Sequence, residues 1–233
     1  YTDKEHPGEV LTHSVFKDTP FWIFLTGTLI TGILFFQLFT TIPLYHKEQF
    51  NLSEFQTGLL LTLNGILVFF LEMPIVSYIE KHKINKLKVI TYGCLAMAIS
   101  IYLLLVNNWA GILIIMMIFM TFAEMFAFPF SNSFAMSRAP KGHEGRYMAI
   151  FTMSYSLAHI LSAKTGMQLI ANYGYQTNWF FMGSLGLVGI LIVMMLFMTF
   201  GEMFAFPFAN SFAMSRAPKG HEGRYMAIFT MSY

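Results

Sequence analysis

Six apolar runs, each close to the length of a membrane-crossing helix, constrain this chain more than any other feature. They occupy roughly residues 21–45, 57–79, 89–106, 110–131, 147–170 and 179–200. About twenty helical residues at about 1.5 Å each match the ~30 Å hydrocarbon core of a bilayer. Lipid offers backbone groups no water partner, so such runs are satisfied as helices, and they are too long for barrel strands. Only 11% of the residues are charged, against about 25% in an ordinary soluble domain. The expected fold class is therefore all-α, a polytopic bundle embedded in the lipid bilayer.

Lysine and arginine orient the bundle. Lys4, Lys17, Lys81, Lys83, Lys86, Lys88, Arg138, Lys141 and Arg146 fall in connections on one side, and Lys47 stands alone on the other. This asymmetry puts the N-terminal side in the cytoplasm. Residues 1–20 are expected to be a cytoplasmic linker and residues 21–200 a six-span unit. The chain starts with Tyr1 and a polar run, and we expect sequence to be missing upstream. Residues 111–155 recur at 189–233 with four differences: Ile115/Val193, Ile118/Leu196, Ala123/Gly201 and Ser131/Ala209. Real repeats diverge and complete each unit. The terminal copy, residues 201–233 duplicating 123–155, is thus expected to be artefactual, and its ionisable groups are not counted as sites.

Several function classes drop out. The net charge of +2 is spread over several loops and gives no footprint for nucleic acid. A single cysteine, Cys94, permits no intrachain disulfide and no cysteine metal cluster. No zinc spacing, phosphate loop or nucleophile motif is present, so we expect no cofactor, no metal and no enzyme.

The polar residues inside the spans remain. A carboxylate there costs at least ~2.5–3.5 kcal/mol on insertion scales, which makes Glu124 and Glu72 the candidates for proton coupling. Counted from the basic side at about 1.5 Å per residue, both glutamates fall near 10 Å. By the same count His159 falls near 18 Å, and Gln37, Asn64 and Lys164 near 22–26 Å. These four are the candidate substrate contacts, although Lys164 is also placed to snorkel and His159 to sit satisfied in a core. The third and sixth spans hold no carboxylate or lysine, so spans one, two, four and five are expected to line a polar cavity. Gly183, Gly186 and Gly189 are expected to allow close helix packing.

The residues also carry a family resemblance. Phe35-Phe36-Gln37-Leu38-Phe39-Thr40-Thr41-Ile42-Pro43-Leu44-Tyr45 followed by Leu52-Ser53-Glu54 resembles the seventh helix and outer loop of major facilitator superfamily transporters. Leu63-Asn64-Gly65 and Leu71-Glu72-Met73-Pro74 are similar to the eighth. Ala123-Glu124-Met125, Phe128-Pro129-Phe130, Ala139-Pro140 and Gly145-Arg146-Tyr147-Met148 are similar to the tenth helix and its loop. The loop Glu80-Lys81-His82-Lys83-Ile84-Asn85-Lys86 keeps an acid-then-basic order without the family's glycines. The resemblance, strongest to bacterial drug exporters, implies the C-terminal half (helices 7–12) of a proton-coupled antiporter in the bacterial inner membrane. It implies efflux of a small molecule by alternating access, with protons and a missing N-terminal six-helix half as partners. The spacing of Glu124 and Pro129 is also similar to peptide/proton symporters. A membrane assembly subunit that transports nothing is the alternative from another class.

Overall fold

The computed structural model describes residues 15–106 and 109–216, with side chains to residue 196. All regular structure among the described residues is helical. A short 3₁₀ turn, Val15–Lys17, leads into α1 (Thr19–Phe36). A second 3₁₀ turn, Gln37–Phe39, interrupts the first span before α2 (Thr41–Phe50). There follow α3 (Glu54–Lys81), α4 (Lys86–Leu103), α5 (Ile112–Arg138) and α6 (Glu144–Arg216).

Local chemistry sets these starts and stops. Asp18 caps α1 by accepting from the Phe21 N–H, with Pro20 in the first turn, where its missing N–H costs nothing. Ser53 and Gln56 form a reciprocal capping box on α3. The Asn85 side chain accepts from the Leu87 N–H at the start of α4. Asn51 ends α2 at φ 51°, a left-handed conformation that asparagine tolerates.

Five helices are long and apolar enough to cross a membrane. The last of these, Glu144–Leu196, covers 53 residues, which at about 1.5 Å each is more than twice the bilayer core. It holds both the fifth and the sixth expected spans, broken at Gly174, where φ is 81° and ψ 174°. The expected loop 171–178 is thus helical on both sides of one glycine; its polar residues mimic a connection without forming one. Contacts along α1 show the chain reversing there. A Cβ on Gly32 would lie 2.8 Å from Ala158, and Gln37 bonds to Ser162, so α1 and the first arm run in step. Gly189 then meets Ile30 and Gly186 meets Leu34, in the opposite order. Gly183, Gly186 and Gly189 sit where a Cβ would come within 2.7–2.8 Å of Tyr102, Leu34 and Ile30, the close packing expected of them. Contacts divide the chain into residues 1–193 and 194–233; of the second unit, residues 194–216 are described, as helix.

The end of the bundle carrying most of the basic residues is held together by specific bonds. Asp18 accepts from Arg138 at the end of α5, Nη2 to Oδ1 at 2.8 Å and Nε to Oδ2 at 3.0 Å. The Tyr147 hydroxyl at the start of α6 donates to the same carboxylate at 3.0 Å. Burial pushes the Asp18 carboxyl up. The hydrogen bond and charge of Arg138, with the Phe21 N–H and the Tyr147 hydroxyl, outweigh that and hold it below its ordinary value. Lys86 donates to Ser133 at 2.6 Å, tying α4 to α5. At the opposite end the Tyr45 hydroxyl donates to the Leu104 carbonyl, and the Tyr175 hydroxyl to Glu48.

A candidate proton and substrate cavity

The site grows from the facing sides of α3 and α5. Asn64 on α3 donates its amide to Glu124 Oε1 on α5 at 2.6 Å and to Thr121 Oγ1 at 3.0 Å. The Thr121 hydroxyl donates in turn to the Met117 carbonyl, one turn back along α5, so the amide is held by a fixed acceptor pair. Glu124 is 9% exposed and makes no ion pair among the described residues.

This arrangement corrects the depths expected from the sequence. Glu124 and Glu72 were placed at one level and Asn64 in a separate outer layer, whereas Asn64 holds Glu124 directly. The fourth span was ended at Ser131, while α5 continues to Arg138. Those seven extra residues raise Glu124 by about 10 Å to the level of Asn64. Glu72, eight residues along α3 from Asn64, is then about 12 Å nearer the basic end.

Glu124, Asn64 and Glu72 nevertheless share a cavity of about 480 Å³, closed by Phe35, Phe39 and Phe128. A second cavity of about 430 Å³ adjoins it toward the first arm of α6. It shares Glu72, Phe35 and Phe128 with the first and adds Phe151 and Tyr155. These volumes fall in the range of small-molecule sites. α1, α3, α5 and the first arm of α6 supply the walls, and neither α4 nor the second arm contributes a lining residue. Both cavities carry carboxylates and neither is lined by lysine or arginine. Two prolines interrupt the helices beside them, Pro74 in α3 and Pro129 in α5. Each removes an intrahelical hydrogen bond and leaves a point where the helix bends readily.

The other candidates fall elsewhere. Gln37 is fully buried in the 3₁₀ turn. Its amide donates to the Ser162 carbonyl and hydroxyl at 3.0 and 2.9 Å, and its oxygen accepts from the Thr41 hydroxyl. It is spent on joining the first span to the first arm of α6 and lines neither cavity. His159 is exposed on that arm, with its ring 4.6 Å from Phe36, and Lys164 is exposed one and a half turns further on. Sequence reasoning missed Thr121, Thr41 and Ser162, which position the amides, because hydroxyls in apolar runs give no distinctive signal.

The model of the Major Facilitator Superfamily matches residues 2–163. The chain belongs to that superfamily. Its membership makes it a multi-pass membrane protein of a transporter family, and points to transport rather than catalysis. The chain is 27% identical over 153 residues to an uncharacterized MFS-type transporter, YttB of Bacillus subtilis (strain 168), covering 65% of this chain and 38% of that protein. Among solved structures it is similar to a POT family transporter in complex with 5-aminolevulinic acid, with a TM-score of 0.65 and 19% identity. That match covers 76% of this chain and 39% of the other, and at this identity it speaks for the fold alone. The chain spans about two fifths of the length of these relatives.

Proposed function

We propose that this chain is the C-terminal half of a proton-coupled secondary transporter that expels a small molecule by alternating access. Glu124 is the proton carrier. The observation that carries this reading is the buried Glu124 carboxylate, bonded to Asn64 of a neighbouring helix at the wall of a cavity it shares with Glu72. A carboxylate can take up and release a proton, and Asn64 ties its state to the position of α3. Glu72, nearer the basic end, is a second proton stop.

The missing half would lie upstream. The relatives' lengths support this, and so does α3 itself, where only Thr57 and Ile79 are buried and Phe69, Phe70 and Met73 stand exposed. His159 and Lys164, exposed on the first arm, are substrate contacts from this half, and Gln37 sets the bend beside them. The linker of residues 1–20 faces the cytoplasm of a bacterial inner membrane, as the basic residues of that end require. Residues 201–233 add no second site.

The test is the full-length protein in proteoliposomes with an imposed pH gradient. Glu124→Gln is expected to abolish gradient-driven transport while leaving substrate exchange across the membrane intact. Gradient-driven transport that continues unchanged removes Glu124 from the mechanism. A peptide/proton symporter-like importer is the second reading, favoured by the spacing of Glu124 and Pro129 on one helix. The direction of flux under the same gradient separates it from efflux, and absence of any flux leaves the assembly-subunit reading.

A further inference from the structure

The second cavity has a composition that selects its occupant. Five rings form its walls in one continuous chain: Phe36, Phe35, Phe128, Tyr155 and Phe151. Successive centroids lie 5.5, 4.7, 5.5 and 5.2 Å apart at interplanar angles of 63–88°. Each ring therefore meets the next edge to face, and the rings are fixed by one another rather than free to turn. Glu72 stands in this wall. It is half-buried and makes no hydrogen bond or ion pair among the described residues, and no lysine, arginine or histidine lines the cavity.

An aromatic face attracts a cation through the ring quadrupole, most strongly where water is excluded. A carboxylate without a counter-ion adds to that attraction and repels an anion. A neutral apolar molecule would gain from the rings but nothing from Glu72. A strongly hydrated small cation would gain from Glu72 but lose its water to apolar walls. The guest that uses both features is an organic cation with its charge spread beneath an apolar surface.

We propose that the cleft between α1, α3, α5 and the first arm of α6 is a seat for hydrophobic organic cations, with Glu72 as the counter-charge. This rests on the transport reading above for its biological use, but not for its binding chemistry. Glu72 then has a dual part, since a proton on its carboxylate removes the counter-charge and favours release of the cation. Proton and cation compete for one group, one wall away from Glu124.

Equilibrium dialysis of the purified full-length protein tests this with phenyltrimethylammonium and its uncharged isostere tert-butylbenzene, detergent-only partitioning being subtracted. The cation is expected to bind roughly tenfold tighter than the isostere, a preference within reach of a partly desolvated cation–π site. Glu72→Gln is expected to erase most of that preference, Glu72→Asp to keep part of it, and Phe128→Leu to weaken the cation about threefold. Circular dichroism checks that each variant is folded; should Glu72→Gln fail to fold, Glu72→Asp and Phe128→Leu carry the decision. Equal binding of the two probes, or a preference untouched by the folded variants, overturns the proposal. Transport is read separately in vesicles. A cation that binds as expected but is not moved leaves the seat standing and removes the transport reading. A substrate that is moved without any cation preference does the reverse.

Discussion

Replacing Asp18 tests whether the bonds at the basic end stabilise the bundle as their geometry implies. Asp18→Asn keeps a good helix cap, because an amide oxygen accepts from the first turn as well as a carboxylate does. It removes the negative charge that faces the Arg138 guanidinium at 2.8 Å. Hydrogen bonds to charged groups contribute about 1.5–3 kcal/mol, and the amide keeps part of one of the two, so the loss should be about 2 kcal/mol. Asp18→Ala loses the cap as well, about 1 kcal/mol more. The two side chains are only 13% and 25% exposed, so salt should screen the pair weakly. At roughly 2–4 °C per kcal/mol for a chain of this size, Asp18→Asn should lower the melting temperature by about 4–8 °C and Asp18→Ala by about 6–12 °C.

The pH dependence has a definite sign. The folded carboxyl is held below its ordinary value, while in the unfolded chain it titrates near the usual ~3.9. The stabilisation is therefore complete above about pH 4 to 5 and is lost as pH falls through the folded value. Thermal melts of the wild type and Asp18→Asn in detergent at pH 7, 5 and 3.5 provide the measurement. Their gap should be widest at pH 7 and should narrow at pH 3.5. A gap below about 1 °C at neutral pH, or one of the same size at all three values, refutes the reasoning.

Two further outcomes follow from the packing. A Cβ on Gly93 would lie 2.8 Å from the Ala127 nitrogen and 2.9 Å from the Ala123 carbonyl oxygen. Gly93→Ala must push α4 and α5 apart, at a cost of about 1–3 kcal/mol, read as a lower melting temperature; no change would mean that the helices are not this close. Cys94 is 3% exposed, with its sulfur 3.2 Å from Thr31 Oγ1, so a maleimide should leave it unlabelled until the protein is denatured; rapid labelling of the folded protein would contradict its place between α1 and α4.

What the sequence disclosed and what it concealed divide along physical lines. Glu124 was legible because a carboxylate is conspicuous in a hydrocarbon-length run, and the glycines at 183, 186 and 189 because their spacing repeats on one helix face. The level of Glu124 was not legible. Asn132, Ser133 and Ser137 look like a loop, yet they continue α5 beyond the apolar run to Arg138, and every depth counted from that end moved with it. The pairing of Asp18 with Arg138 spans 120 positions, and no local pattern announces such a partner. The run Asp18-Thr19-Pro20 did signal a helix start, but it was absorbed into the linker.

The distribution of packing then explains why chemistry gathers on α3. α4 buries Gly93, Cys94, Met97, Ala98 and Ile101 against its neighbours, and α5 buries a continuous face from Ile112 to Ala135. These helices are held by close van der Waals contact, where a shift of even one ångström forfeits much of the attraction. Of the 28 residues in α3 only Thr57 and Ile79 are buried. Midway along it, the Asn64 amide joins it to α5 through Glu124 and Thr121. A helix with so little buried surface is cheap to displace, and its bond to Glu124 is the part of the contact that a proton alters directly. The protonated carboxyl can donate where the carboxylate only accepts, so the bond that Asn64 makes must change with the state of Glu124. The element least fixed by packing is thus the one fastened at a titratable group, the coupling that a proton-driven change of shape requires.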